Sequence, residues 1–203
     1  MRGVKVRRLP LLTALAALVL CWLIIWSILL FEGAQLVDLL GPEIRDAPKV
    51  IKISSPAFNY GGDIPKKYTC DGRNLSPPLV WNLSGLSDKV KSLVLIVFDP
   101  DAPRGVFVHW TIYNMSSNLS GLDEGVPKSP VVPGIGLQGI NDFGRIGYDG
   151  PCPPPGPKHR YFFRLIAVDT YLDLRPGLRV KDLERALKGH IVGYGDYMGT
   201  YGR

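Results

Sequence analysis

The sequence predicts a mainly β outer domain with one C-terminal helix, carried behind a single transmembrane helix. Three observations predict it. Apolar runs of strand length, rich in aromatic and β-branched residues, recur after residue 50. Glycine and proline punctuate them, 23 Gly and 18 Pro in 203 residues, which is a high share for a helical protein. Near the N-terminus, Leu11 to Phe31 runs for 21 residues without a charge.

That uncharged run is long enough to span a hydrocarbon core of roughly 30 Å as a helix. Arg2, Lys5, Arg7 and Arg8 precede it, and Glu32 and Asp38 follow. A positive flank stays in the cytoplasm, which puts the rest of the chain outside. The expected order is a cytoplasmic tail over 1–10, a transmembrane helix over 11–31, a stalk over 32–49 and a domain over 50–203. The expected location is the cell membrane, as a single-pass protein. A cleaved signal peptide is the rival. Its apolar region would be about 7–15 residues, and Phe31-Glu-Gly-Ala34 is a poor cleavage site. Gly41-Pro42 stops a helix running on from the span, and Asp46-Ala-Pro48 prevents it resuming.

The formal charge of +6 owes four of its units to those first basic residues. Beyond them 20 basic and 18 acidic residues nearly cancel. A nucleic-acid binder would show a concentrated basic face, so no nucleic-acid partner is expected.

Within the outer domain, Val50–Ser54, Lys91–Phe98, Val106–Met115 and Tyr161–Asp169 read as strands. Strict alternation along Val106–Met115 sets Val106, Val108, Trp110 and Ile112 on a core face and Phe107, His109, Thr111 and Tyr113 on the other. One helix is expected, Lys181 to Ile191, with Val180, Leu183, Leu187 and Ile191 on one stripe. Ser116 to Lys158 is a long connection with nine Gly and eight Pro. Connections of that length in a compact domain are usually functional or disordered.

Two proline-stiffened segments carry the ionisable groups. Asp99-Pro-Asp-Ala-Pro103 sets two carboxylates on a backbone that cannot be helical, and His109 follows in the next apolar run. Gly150-Pro-Cys-Pro-Pro-Pro-Gly-Pro-Lys-His159 repeats the logic and delivers a second histidine at the start of a strand. Rigid loops bearing ionisable groups are where a binding site is expected. Taken alone, Asp99 and Asp101 could simply cap a turn, and His109 could be a core histidine bonded to a carbonyl.

Together these residues resemble the phosphatidylethanolamine-binding protein family, whose animal members include the Raf kinase inhibitor protein; the match is nearest its bacterial and archaeal branch. Asp99-Pro-Asp-Ala-Pro103 with His109-Trp110 is similar to the first signature. Gly150-Pro-Cys-Pro-Pro with Gly156 and His159-Arg-Tyr161 is similar to the second. Tyr68-Thr-Cys-Asp-Gly72, Asn74-Leu-Ser-Pro-Pro-Leu79, Trp81, Asn141-Asp-Phe-Gly144 and the ending Gly199-Thr-Tyr-Gly-Arg203 also fit. The resemblance covers roughly residues 50–203 and leaves the membrane segment outside it.

The resemblance implies a β-sandwich with a small anion cavity at one end. It carries ligand-binding roles onto Asp99, Asp101, His109 and His159, with the Gly150-Pro151 backbone beside them. A histidine near a carboxylate should have its protonated form favoured, so an imidazolium and backbone N–H groups can hold a phosphate while an acid holds an ammonium. The expected function is therefore a membrane-anchored binder of phosphate-like or phospholipid head groups. The alternative is a regulatory module, kinase- or protease-inhibitor-like, that receives acidic or phosphorylated partners. A hydrolase would need an activated nucleophile, and no Gly-x-Ser-x-Gly motif is present. No His-Glu-x-x-His spacing suggests a metal, and no cofactor is expected. Cys70 and Cys152, the two cysteines beyond the span, are expected to form a disulfide if the domain is outside; two separate buried thiols are the other possibility. Of four Asn-x-Ser sequons, at Asn74, Asn82, Asn114 and Asn118, those at Asn82 and Asn118 are the expected glycosylation acceptors.

Overall fold

The computed structural model describes residues 39–83, 85–86 and 88–203. The expected tail, the expected membrane helix over Leu11–Phe31 and the stalk up to residue 38 lie outside them. Among the described residues no helix is long and apolar enough to cross a membrane.

Two antiparallel sheets make the domain. The smaller holds β1 (Lys52–Ser54), β2 (Leu79–Asn82) and β5 (Gly121–Leu122) in the order β1-β2-β5. The larger runs β6-β7-β4-β3-β8-β9, from β3 (Ser92–Asp99), β4 (Phe107–Ser116), β6 (Val131–Val132), β7 (Gly136–Gln138), β8 (His159–Val168) and β9 (Ile191–Tyr201). Side chains of both sheets share one core: Ile53, Leu79, Trp81 and Leu122 meet Leu93, Leu95, Val97, Trp110, Phe163 and Leu165. Burying such side chains is worth about 1.5–3 kcal/mol each and holds the layers together.

The central strands β3 and β8 are buried on both faces, which is why they read as continuous apolar runs rather than as alternation. The connection after β8 covers the second face. There Tyr113 donates to the carbonyl of Arg175, and Asn114 to that of Leu172. So the face of β4 that alternation left outside the core, including Thr111 and Tyr113, is buried as well.

The expected helix over Lys181–Ile191 is shorter. There is an α1 (Pro42–Asp46) earlier in the chain, and α2 spans Val180–Leu187 with Leu183 and Leu187 buried. Gly189, at φ +76°, turns the chain, and Ile191 opens β9 instead of closing the stripe. The stalk also differs from expectation in its last part. Leu40 and Ile44 are buried, α1 packs against β9, and Lys49 pairs with Asp196 at 3.2 Å. From residue 39 on, the segment belongs to the domain.

Candidate functional site

Strand ends deliver the site. Asp99 closes β3, Phe107 opens β4 and His159 opens β8. The registers Asp99↔Phe107 and Phe98↔Phe162 place these ends side by side. Asp99 has the parity of Leu95 and Val97, and His159 that of Tyr161 and Phe163, so both side chains extend the core face to its rim.

His109 arrives there by a β-bulge. Val97 pairs with Trp110 while Phe98 pairs with Val108, which leaves His109 as the extra residue. Bulges re-aim side chains, and this one brings the imidazole edge-on to Tyr161 at 5.3 Å between ring centroids. Alternation had put His109 on the face away from the core, and the bulge overturns that assignment.

The cavity has a volume of about 160 Å³. Its polar lining is buried: Asp99, His109, His159 and Tyr161. Its remaining lining is apolar, with Ala102, Pro103, Phe107 and Phe143 on one side and the Cys152–Pro154 loop on the other.

Asp99 organises the polar part. One oxygen accepts from the Asp101 amide at 2.7 Å, and the other lies 2.8 Å from Nδ1 of His159. Tyr161 is buried, and its hydroxyl has no hydrogen-bond partner among the described residues. Burial first, and the nearby Asp99 carboxylate second, push this phenol's pKa up. Asp99 is the carboxylate beside this hydroxyl.

His109 differs from the expected cation. Its Nδ1 lies 2.7 Å from the Asp149 carbonyl oxygen. Burial lowers its pKa, and this outweighs the opposing pull of the Asp149 carbonyl, Asp99 and the Gly150 carbonyl. The ring is therefore neutral near pH 7.

Asp101 and the Gly150-Pro151 backbone do not line the cavity. Asp101 instead clamps Arg160 with both oxygens, at 2.9 and 2.6 Å. That guanidinium, against the opposing effect of burial, holds the Asp101 carboxyl below its usual range. Gly150 donates its N–H to Asn74 at 2.7 Å. A Cβ at Gly150 would stand 2.0 Å from the Tyr68 carbonyl oxygen, so the backbones touch where only glycine fits. Pro151 accepts from the Cys70 amide at 3.1 Å. Beside it Cys70 and Cys152 are disulfide-bonded, with Cα atoms 5.4 Å apart. These groups fasten the 68–74 loop behind the cavity wall.

Sequence reasoning missed Asp149, which holds that wall. Its carboxylate is buried and receives Asn74 and Asn141 at 2.8 Å each, Arg145 at 2.8 Å and Lys128 at 3.1 Å. Burial alone would raise its pKa; the donors Arg145, Asn141, Lys128 and Asn74 outweigh it and bring the group to about 2. Its position just before the Gly150 block was the available signal. Tyr161 and Phe143 stand inside the quoted motifs, but nothing in their residue type marks them as cavity lining.

Other residues fall outside the site. Arg164 pairs with Asp196 at 2.8 Å, and His190 with Asp169 at 2.8 Å. Asn74 and Asn114 use both ends of their amides within the fold, whereas Asn82 and Asn118 are exposed.

The fold is thus a two-sheet β domain with one cavity at the ends of β3, β4 and β8. The family model described as phosphatidylethanolamine-binding protein matches residues 54–202, and the chain belongs to that family. A UPF0098 protein of Methanothermobacter thermautotrophicus is 49% identical over 153 residues, covering 75% of this chain and 99% of its own length. One from Pyrococcus horikoshii is 50% identical over 156 residues, covering 75% of this chain and 77% of its own. Among solved structures, a phosphatidylethanolamine-binding protein homologue from Chlamydia trachomatis superposes with a TM-score of 0.68 at 42% identity, covering 76% of this chain and 99% of its own. E. coli YbcL, described as a member of the mammalian family, gives 0.67 at 27% identity, covering 75% and 98%.

Proposed function

We propose that this chain is a membrane-anchored binding protein whose outer domain takes a small phosphate-like group, such as a phospholipid head group or its soluble counterpart. The observation that carries this reading is the convergence of the buried His159–Asp99 pair and the His109 ring on one cavity at the strand ends. In this reading the domain binds and does not catalyse: the cysteine that lines the cavity is held in a disulfide. Leu11–Phe31 is the proposed anchor, with the N-terminus in the cytoplasm and the domain outside.

A crystal of the protein soaked with phosphoethanolamine tests the cavity. Density against Tyr161 and His159 supports the reading, and an empty cavity with calorimetry showing no heat rejects it. Release of the chain by alkaline carbonate would reject the anchor. A second reading, a phosphorylated or acidic side chain of a protein partner, is favoured by Phe143, an exposed aromatic on the cavity lining. A phosphopeptide that binds where free phosphoethanolamine does not would select it.

A further inference from the structure

We propose that Asn118 is an N-glycan acceptor, modified on the outer side of the membrane by an oligosaccharide carried on a polyprenyl phosphate. The inference rests on the external placement of the domain proposed above and concerns a surface far from the cavity.

The four Asn-x-Ser sequons are equivalent as sequence. The structure separates them. Transfer asks two things of an acceptor: a side-chain amide nitrogen free to attack a sugar, and a segment that a large enzyme can reach. At Asn74 the amide donates to Asp149 at 2.8 Å and accepts from the Gly150 N–H at 2.7 Å. The third residue of that sequon, Ser76, is buried, and its hydroxyl accepts from the Val126 amide at 2.9 Å. At Asn114 the amide donates to the Leu172 carbonyl at 2.9 Å and accepts from the Leu172 N–H at 2.8 Å. Both amides are spent on the framework of the fold. Asn82 is exposed, but it is a residue of β2 and pairs with Lys52 across the ladder to β1. Drawing it into an enzyme would open that ladder.

Asn118 differs on each count. It stands at the third position of a β-turn that follows β4, closed by the Leu119 amide donating to the Ser116 carbonyl at 3.1 Å. The Ser116 hydroxyl accepts from the Asn118 backbone amide at 3.2 Å, which steadies the turn without using the Asn118 side chain. Asn118 and Ser120 are both exposed, and neither side chain makes a hydrogen bond among the described residues. The base of the turn is fixed. Leu119 packs against the core, its carbonyl accepts from the Trp81 ring N–H at 2.6 Å, and the Ser120 carbonyl accepts from the Trp81 amide at 2.8 Å. Exposed turn tips of this kind tolerate bulky additions.

The bonding change is a substitution at carbon. Nδ2 of Asn118 bonds to C1 of the first sugar, the bond from C1 to the donor's phosphate oxygen breaks, and the polyprenyl phosphate leaves with that electron pair. The amide gives up one proton to a base of the transferase, and nothing is oxidised or reduced. The position also suits a binding protein. Phe107 opens β4 and lines the cavity, whereas Asn118 lies past the other end of this 10-residue strand. At roughly 3.3 Å per residue the two are about 30 Å apart, so a glycan leaves the cavity mouth open.

The test is peptide mass spectrometry on the full chain purified from its native membranes, with Ser120→Ala made in the same cells. The Asn118 peptide is expected to carry sugar mass in the wild type and none in Ser120→Ala, which keeps the asparagine and breaks only the sequon. Labelling intact cells with a membrane-impermeant amine reagent reports, on the same preparation, whether the lysines of the domain lie outside. An unmodified Asn118 on an externally labelled domain would overturn the acceptor assignment alone. A domain that escapes labelling would overturn the external placement, and this inference with it. Glycan occupancy at Asn82 equal to or above that at Asn118 would overturn the selection among sequons, and added mass that persists in Ser120→Ala would overturn N-glycosylation as its source.

Discussion

His159 Nδ1 and Asp99 Oδ2 lie 2.8 Å apart, 60 residues apart in the chain, with side chains 8% and 5% exposed. A carboxylate in that position fixes the orientation of the His159 ring. Asp99→Asn leaves the shape and removes the charge. Phosphate affinity at pH 6 is expected to fall tenfold or more, the equivalent of a charge-assisted hydrogen bond of about 1.5–3 kcal/mol. Calorimetry checks this, and an unchanged affinity would place phosphate binding elsewhere on the molecule.

Asp149 makes acid stability part of the site's architecture. Its carboxyl sits at about 2 in the folded chain against about 3.9 when unfolded. A lowered folded pKa contributes stability that is present above the unfolded value and lost as pH falls through the folded one. The contribution is about 2 kcal/mol at neutral pH and is about half gone by pH 3. Urea unfolding of wild type and Asp149→Asn should show a wild-type advantage at pH 7 that narrows as pH is lowered to 3. A constant gap between the two proteins would mean that the carboxylate's charge plays no part.

The Cys70–Cys152 bond closes a separation of 82 residues. In the chain-entropy account a loop of that size is worth about 4–5 kcal/mol, less any native strain. The paired substitution Cys70→Ser, Cys152→Ser should therefore lower the melting temperature markedly, and wild type in dithiothreitol should follow it. Melting unaffected by either change would show that the prolines and the Gly150–Tyr68 backbone contact hold the loop without the bond.

Asp99, His109 and His159 were legible in sequence as members of two spaced motifs that resemble a family's signatures; taken singly, Asp99 reads as well as a turn cap. Asp101 was not separable from Asp99 by the same signal; only the fold shows that it turns to Arg160. Strand β9 was hidden by its glycines. Gly195 and Gly199 weaken any β pattern, yet a Cβ at Gly195 would lie 2.1 Å from the Ile51 carbonyl oxygen. Their small size serves close packing against the segment before and after β1, a tertiary demand that local propensity does not carry. The bulge at His109 is likewise a matter of register between two strands, which a single strand's alternation cannot reveal.

Tyr161 separates a binding role from a structural one most sharply. Its hydroxyl is buried and without a partner among the described residues, while its ring sits in the core cluster. Tyr161→Phe keeps the ring and deletes the unsatisfied group. If the hydroxyl served the fold, its loss would destabilise the protein. Here the ligand-free protein should instead be as stable as wild type or more so, by up to about 1–3 kcal/mol, because a desolvated donor has been removed. If the hydroxyl donates to the bound group, phosphate affinity should move the other way and fall about tenfold or more. Denaturant unfolding without ligand and calorimetry with phosphate measure the two effects on the same preparation. A variant that is less stable but binds phosphate normally would reverse the assignment and make the hydroxyl a structural group.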